Sequence, residues 1–161
     1  MILDLPTLTF LHVIISLVGI GSGFVVMFGL LKGKRLDGWT ALFLAATVAT
    51  SVTGFFFPFK QFTPAHGVGI VSLIALAAAI PARYAWRLAS HWRWVYVVSA
   101  VLALYLNVFV GVVQAFQKIP ALNTLAPTQS ELPYLLTQLV VLSLFIALGI
   151  VTSIRFCVAH A

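Results

Sequence analysis

The sequence predicts an all-α integral membrane bundle of five transmembrane helices, with the N-terminus outside and the C-terminus in the cytosol. Three observations lead there. The 161 residues are 62% hydrophobic and only 7% charged, with a mean hydropathy of +1.13, whereas a soluble domain carries about 25% charged residues. Such a chain has too few charges for a wetted surface, which excludes soluble enzymes, disordered regulators and nucleic-acid binders. Five apolar segments near the ~20 residues needed to cross a bilayer follow one another, at about 5–31, 39–58, 64–88, 92–117 and 130–157. They make one transmembrane domain over residues 1–161. Finally, Lys32, Lys34, Arg35, Arg83, Arg87, Arg93 and Arg155, 7 of the 9 basic residues, fall on one side of that five-helix topology. The positive-inside rule makes that side cytosolic, and the expected location is a bacterial inner (plasma) membrane.

The first segment carries Asp4 where a secretory signal would be basic, and it exceeds a 7–15-residue signal core, so it reads as a mature helix with Asp4 as its N-cap. The Lys-Gly-Lys-Arg-Leu-Asp-Gly run at 32–38 is a tight hairpin. Two prolines, Pro58 and Pro64, separate the second and third segments. Thr63-Pro64 is an N-cap followed by a first-turn proline, which puts His66 in the first turn of the third helix. Pro81 predicts a kink near Ala77. Trp86, Trp92 and Trp94 in the Arg-rich turn read as interfacial anchors. The 14 residues from Lys118 to Glu131 form an external loop or a small cap. The single Cys157 has no partner for an intramolecular disulfide.

Polar residues inside apolar helices are costly in lipid and face the bundle interior by default. His12, Ser16, Gly19 and Gly23 share one face of the first helix, and Gly19 and Gly23 form a Gly-x-x-x-Gly close-packing motif. Thr47, Thr50 and Gly54 share a face of the second helix. Asn107, Gly111 and Gln114 do so on the fourth, and the fifth contributes Gln138. At ~1.5 Å per residue, His66 and Gln114 lie near the outer surface, His12 and Gln138 deeper, and Asn107 near the midplane. The expected site is therefore a polar vestibule, open outward and closed by apolar residues below. For each amide the plain alternative is interhelical hydrogen bonding, about 0.6 kcal/mol on average.

Two neutral imidazoles, His12 and His66, suggest a second reading as axial ligands of one b-type haem, against which their estimated depths differ by roughly 6–8 Å. A metal held by these two histidines alone lacks a carboxylate or thiolate. There is no acidic residue inside any helix, no Ser/His/Asp set and no nucleotide-binding glycine pattern, so the residues point away from an enzyme. The first four helices also read as two similar hairpins, each with a basic turn and a Trp-containing start, as in transporters built of parallel repeats.

The stretches Pro58-Phe-Lys-Gln-Phe-Thr-Pro-Ala-His66-Gly, Leu106 to Leu122 and Leu125-Ala-Pro-Thr-Gln-Ser-Glu131 resemble a family of small, uncharacterised five-helix inner-membrane proteins of Gram-negative bacteria. The resemblance runs from the second helix onward and implies no activity or cofactor. A looser likeness at Leu11-His12 is to haem- or copper-associated bacterial membrane proteins. The leading expectation is a polytopic protein whose outward-facing site, formed by His12, His66, Asn107, Gln114 and Gln138, binds or passes a small ligand or solute. The alternatives are a haem-binding redox protein and an accessory subunit of a larger membrane complex or homo-oligomer.

Overall fold

The computed structural model describes residues 5–57 and 64–160. All regular structure among them is helical: α1 Leu5–Leu31, α2 Asp37–Gly54, α3 Pro64–Tyr84, α4 Trp92–Lys118, α5 Pro120–Leu125 and α6 Leu132–Ala159. Four of these, α1, α3, α4 and α6, are long and apolar enough to cross a membrane. The 18-residue α2 is more polar, because it opens on Asp37-Gly-Trp-Thr and carries Thr40, Thr47, Thr50, Ser51 and Thr53. The caps expected from Asp4 and Thr63, and Lys60 with them, lie outside the described residues.

Helix ends differ from the sequence expectation where local chemistry acts. A carboxylate is favourable in a first helical turn, and Asp37 brings the start of α2 forward from the expected 39. At its other end, Phe55 and Phe56 N–H donate to the Val52 and Thr53 carbonyls and close the helix at Gly54. α3 stops at Tyr84 rather than 88, because Arg87, Leu88 and Ser90 take left-handed φ angles of 48°, 61° and 45°. Leu88 is driven into the core by that turn, and Trp86 stacks on Trp92 at 3.7 Å across it. α1 ends in a Schellman motif, with Gly33 at φ 68° donating to Leu30 and Lys34 donating to Gly29. The 118–131 connection folds into the short α5 and a turn capped by Glu131, whose carboxylate accepts from Thr128 and Ser130. Desolvation raises the Glu131 pKa, but these hydrogen bonds outweigh it and leave the group below its ordinary value.

α1 packs most extensively on α2, and α3 on α4; α6 lies mainly against α4. α1 and α2 run antiparallel along almost their whole lengths. His12 meets Thr53, Gly23 meets Phe43, and Gly29 meets Leu36. The Gly-x-x-x-Gly face is the reason they approach so closely. A Cβ on Gly23 would sit 2.6 Å from Leu104 Cδ1 and 2.9 Å from Phe43 Cε2. Below this crossing, Val26, Met27, Leu30, Phe43, Leu44, Leu76, Tyr96, Leu104 and Phe156 form the core.

The α1–α2 turn, the α3–α4 turn and the end of α6 meet at one end of the bundle. Gly33 approaches Ala159 there, and the Arg93 guanidinium donates to the carbonyls of Cys157 and His160. The seven basic residues grouped by the sequence analysis therefore gather at a single end.

Candidate functional site: a hydroxyl row on the second helix

α2 is the element around which polar side chains of three other helices collect. Starting at the end of α2 remote from the basic turns, His12 Nδ1 on α1 lies 2.8 Å from Thr53 Oγ1, with the imidazole edge-on to Phe57. Thr53 also donates back to the Ala49 carbonyl, so its hydroxyl proton is engaged within α2 and its oxygen is left to accept from an Nδ1–H tautomer of His12. Two residues deeper, and about 200° around α2 on the side that faces α3, Ser51 donates to Ser72 Oγ at 3.1 Å. Deeper again, Asn107 Nδ2 of α4 donates to Thr47 Oγ1 at 3.1 Å, both groups being buried. Gly19 of α1 packs over this pair, and a Cβ there would lie 3.5 Å from each of the two polar atoms, in ordinary contact.

From Thr47 to Thr53 the row rises about 9 Å along the helix. Among the described residues it carries one unpaired group, the Thr50 hydroxyl oxygen, which is buried without a hydrogen-bond partner. Towards the basic end the row is interrupted over about 10 Å, between Thr47 and Thr40, where the buried Phe43 and Leu44 fill the helix face. Beyond that apolar block lies a second polar group. Arg83 of α3 is buried, pairs with the exposed Asp37 carboxylate, and lies 5.3 Å from the centroid of the Tyr96 ring.

The five residues singled out in the sequence are not one cluster. His12 and Asn107 join the row on α2. His66 lies beside Phe55, ring centroids 6.0 Å apart. Gln138 donates to the Phe109 carbonyl of α4 and the Tyr134 hydroxyl, and its Oε1 is buried without a partner among the described residues. Phe109 is two residues from Asn107, about 200° around α4, so Gln138 belongs to a different seam. Gln114 is exposed on the bundle surface.

His12 and His66 contact Thr53 and Phe55 respectively, also two residues apart, so they approach opposite sides of the end of α2. A single iron between them would require that end to be displaced. Among the described residues no three His, Cys, Asp or Glu side chains gather as a metal site.

The sequence reasoning did not identify Thr53, Ser51, Ser72 or the Asp37–Arg83 pair. Asp37 was the one acidic residue in the basic turn, which signals a paired cation without saying which. Ser51 and Ser72 had no distinguishing pattern. No family model, curated protein or solved structure matches the chain.

Proposed function

We infer that the chain is a five-span, multi-pass protein of a bacterial inner membrane whose α2 row forms an outward-facing polar site for a small ligand or solute. The fifth span is α2. It runs beside α1 from Leu36, opposite Gly29, to Thr53, opposite His12, so a bilayer crossed by α1 is crossed by α2 as well. Its 18 residues cover about 27 Å, close to the ~30 Å hydrocarbon thickness. The gathering of seven cations at one end supports a cytosolic assignment for that end, and hence an outward-facing His12.

The observation that carries the ligand reading is the buried Thr50 hydroxyl without a partner, set among His12–Thr53, Ser51–Ser72 and Asn107–Thr47. Buried polar groups in native structures are satisfied by protein, water or ligand. In this reading His12 and Asn107 bound the site, His66 stands at its outer edge, and Phe43 and Leu44 close it inward. Gln138, in the α4–α6 seam, and Gln114, on the bundle surface, lie outside this site.

Thr50→Val tests the reading. In a dry bundle the substitution removes an unsatisfied hydroxyl and raises stability by about 1–2 kcal/mol. Around bound water or ligand it removes a partner and lowers the melting temperature, which is the expected result. An accessory role, with the row acting only as interhelical contacts, is favoured by the fact that the other three polar pairs of the row are mutually satisfied. Stabilisation by Thr50→Val would favour that reading.

A further inference from the structure

At the basic end, between the last turn of α1 and the last turns of α6, a groove of about 420 Å³ is lined by Leu31, Lys32, Gly33, Ile154, Arg155, Val158 and Ala159. We propose that this groove is a binding site for an anionic phospholipid of the leaflet at that end, its phosphate held by Lys32 and Arg155 and its acyl chain lying along Leu31, Ile154 and Val158.

Three features of the groove support this. Its chemistry is divided as a lipid requires. Two cations, Lys32 in the turn after α1 and Arg155 on α6, stand beside a wall of exposed aliphatic side chains, Ile154 52% and Val158 70% exposed. Anionic headgroups are held by basic pockets of this kind between membrane helices, at the level where helices leave the hydrocarbon.

The cations are also uncommitted. Among the described residues the single ion pair is Arg83–Asp37, and neither Lys32 nor Arg155 has a carboxylate facing it. Both are exposed and long enough to raise their charged ends to a phosphate while their stems stay in apolar surroundings.

At the floor of the groove Gly33 lets the α1–α2 turn come close to α6. A Cβ at that position would lie 3.0 Å from the Ala159 Cβ, so α1 and α6 approach there through the smallest side chains. The negative end of α1 does not repel an anion as a bare helix terminus would. The Gly29 and Leu30 carbonyls already accept from the N–H groups of Lys32, Gly33 and Lys34.

The proposal is independent of the α2 row, which lies at the other end of the bundle. It is tested on the whole protein reconstituted in nanodiscs of phosphatidylcholine doped with phosphatidylglycerol, by native mass spectrometry of retained lipid and by melting temperature. The wild type is expected to retain phosphatidylglycerol over phosphatidylcholine and to melt higher in its presence. K32Q/R155Q should reduce that selectivity at least tenfold. Val158→Trp, which fills the groove with the charges intact, should do the same, whereas Arg87→Gln, a cation outside the groove, should leave it unchanged.

Unaltered selectivity in both K32Q/R155Q and Val158→Trp would overturn the proposal. So would an equal loss in Arg87→Gln, which would indicate diffuse attraction to the basic end. Inorganic phosphate added to protein in neutral lipid is expected to leave the melting temperature unchanged. The full stabilisation from phosphate alone would show a free-anion site and reject the lipid.

Discussion

Replacing Gly23 by Ala measures how closely α1, α2 and α4 are packed. The added methyl would fall 2.6 Å from Leu104 Cδ1 and 2.9 Å from Phe43 Cε2, both well inside van der Waals contact. Leu104 and Phe43 are each 0% exposed, so neither can swing into free space without moving further neighbours. Overpacking of this kind costs about 1–3 kcal/mol. The Ala gains ~1 kcal/mol of helix propensity over Gly, which leaves a net loss of up to about 2 kcal/mol. Two nearby glycines calibrate it. A Cβ on Gly19 meets its neighbours at 3.5 Å, ordinary contact, and one on Gly21 meets nothing within 4 Å. Thermal unfolding of the three single variants in one detergent should give Gly23→Ala clearly below wild type and the other two at or above it. Gly23→Ala as stable as Gly21→Ala would refute the close three-helix crossing.

Asp37→Asn leaves the buried Arg83 guanidinium without its carboxylate. Because the Asp37 side chain is 84% exposed and screened by solvent, the expected loss is about 1 kcal/mol, read from the unfolding midpoint. Ser90→Gly relieves an exposed left-handed residue at φ 45° and should stabilise by up to ~1 kcal/mol; a loss would show that the turn is not left-handed in the protein. The Glu131 carboxyl is held below its ordinary pKa, so its contribution is complete above the unfolded value and fades as the pH falls through the folded one. The protection factors of the Thr128 and Ser130 amides, taken against their intrinsic exchange rates, should therefore fall on acidification over that window, and Glu131→Gln should abolish that fall.

The long helices were legible because lipid leaves little choice. A 27-residue apolar run such as Leu5–Leu31 satisfies its backbone as a helix. The Gly19/Gly23 face was legible for the same reason, since close approach needs small residues. Pairing across α1 and α2 was also present in the sequence, though unread. A tight turn near Gly33 places His12 opposite residues 53 and 54 by counting outward from it.

The hidden part was how far each polar residue is turned about its own helix. Asn107 and Gln114, seven residues apart, share a nominal face of α4, yet one bonds Thr47 in the interior and the other is exposed. Position along the helix gave no account of which neighbour each side chain meets. That depends on α6 lying against α4 and on α2 sitting between α1 and α3, and no local pattern encodes either.

The central claim, that the α2 row is reached from outside and closed from inside, is tested most directly by cysteine labelling in oriented vesicles. In a Cys157→Ala background, cysteines replace Thr50, Asn107 and Phe43 one at a time, and a small membrane-impermeant thiol reagent is applied to either face. The account predicts modification at positions 50 and 107 from the outer face only, and none at 43 from either. Unreactive cysteines at both 50 and 107, or reaction only from the cytosolic face, would contradict it.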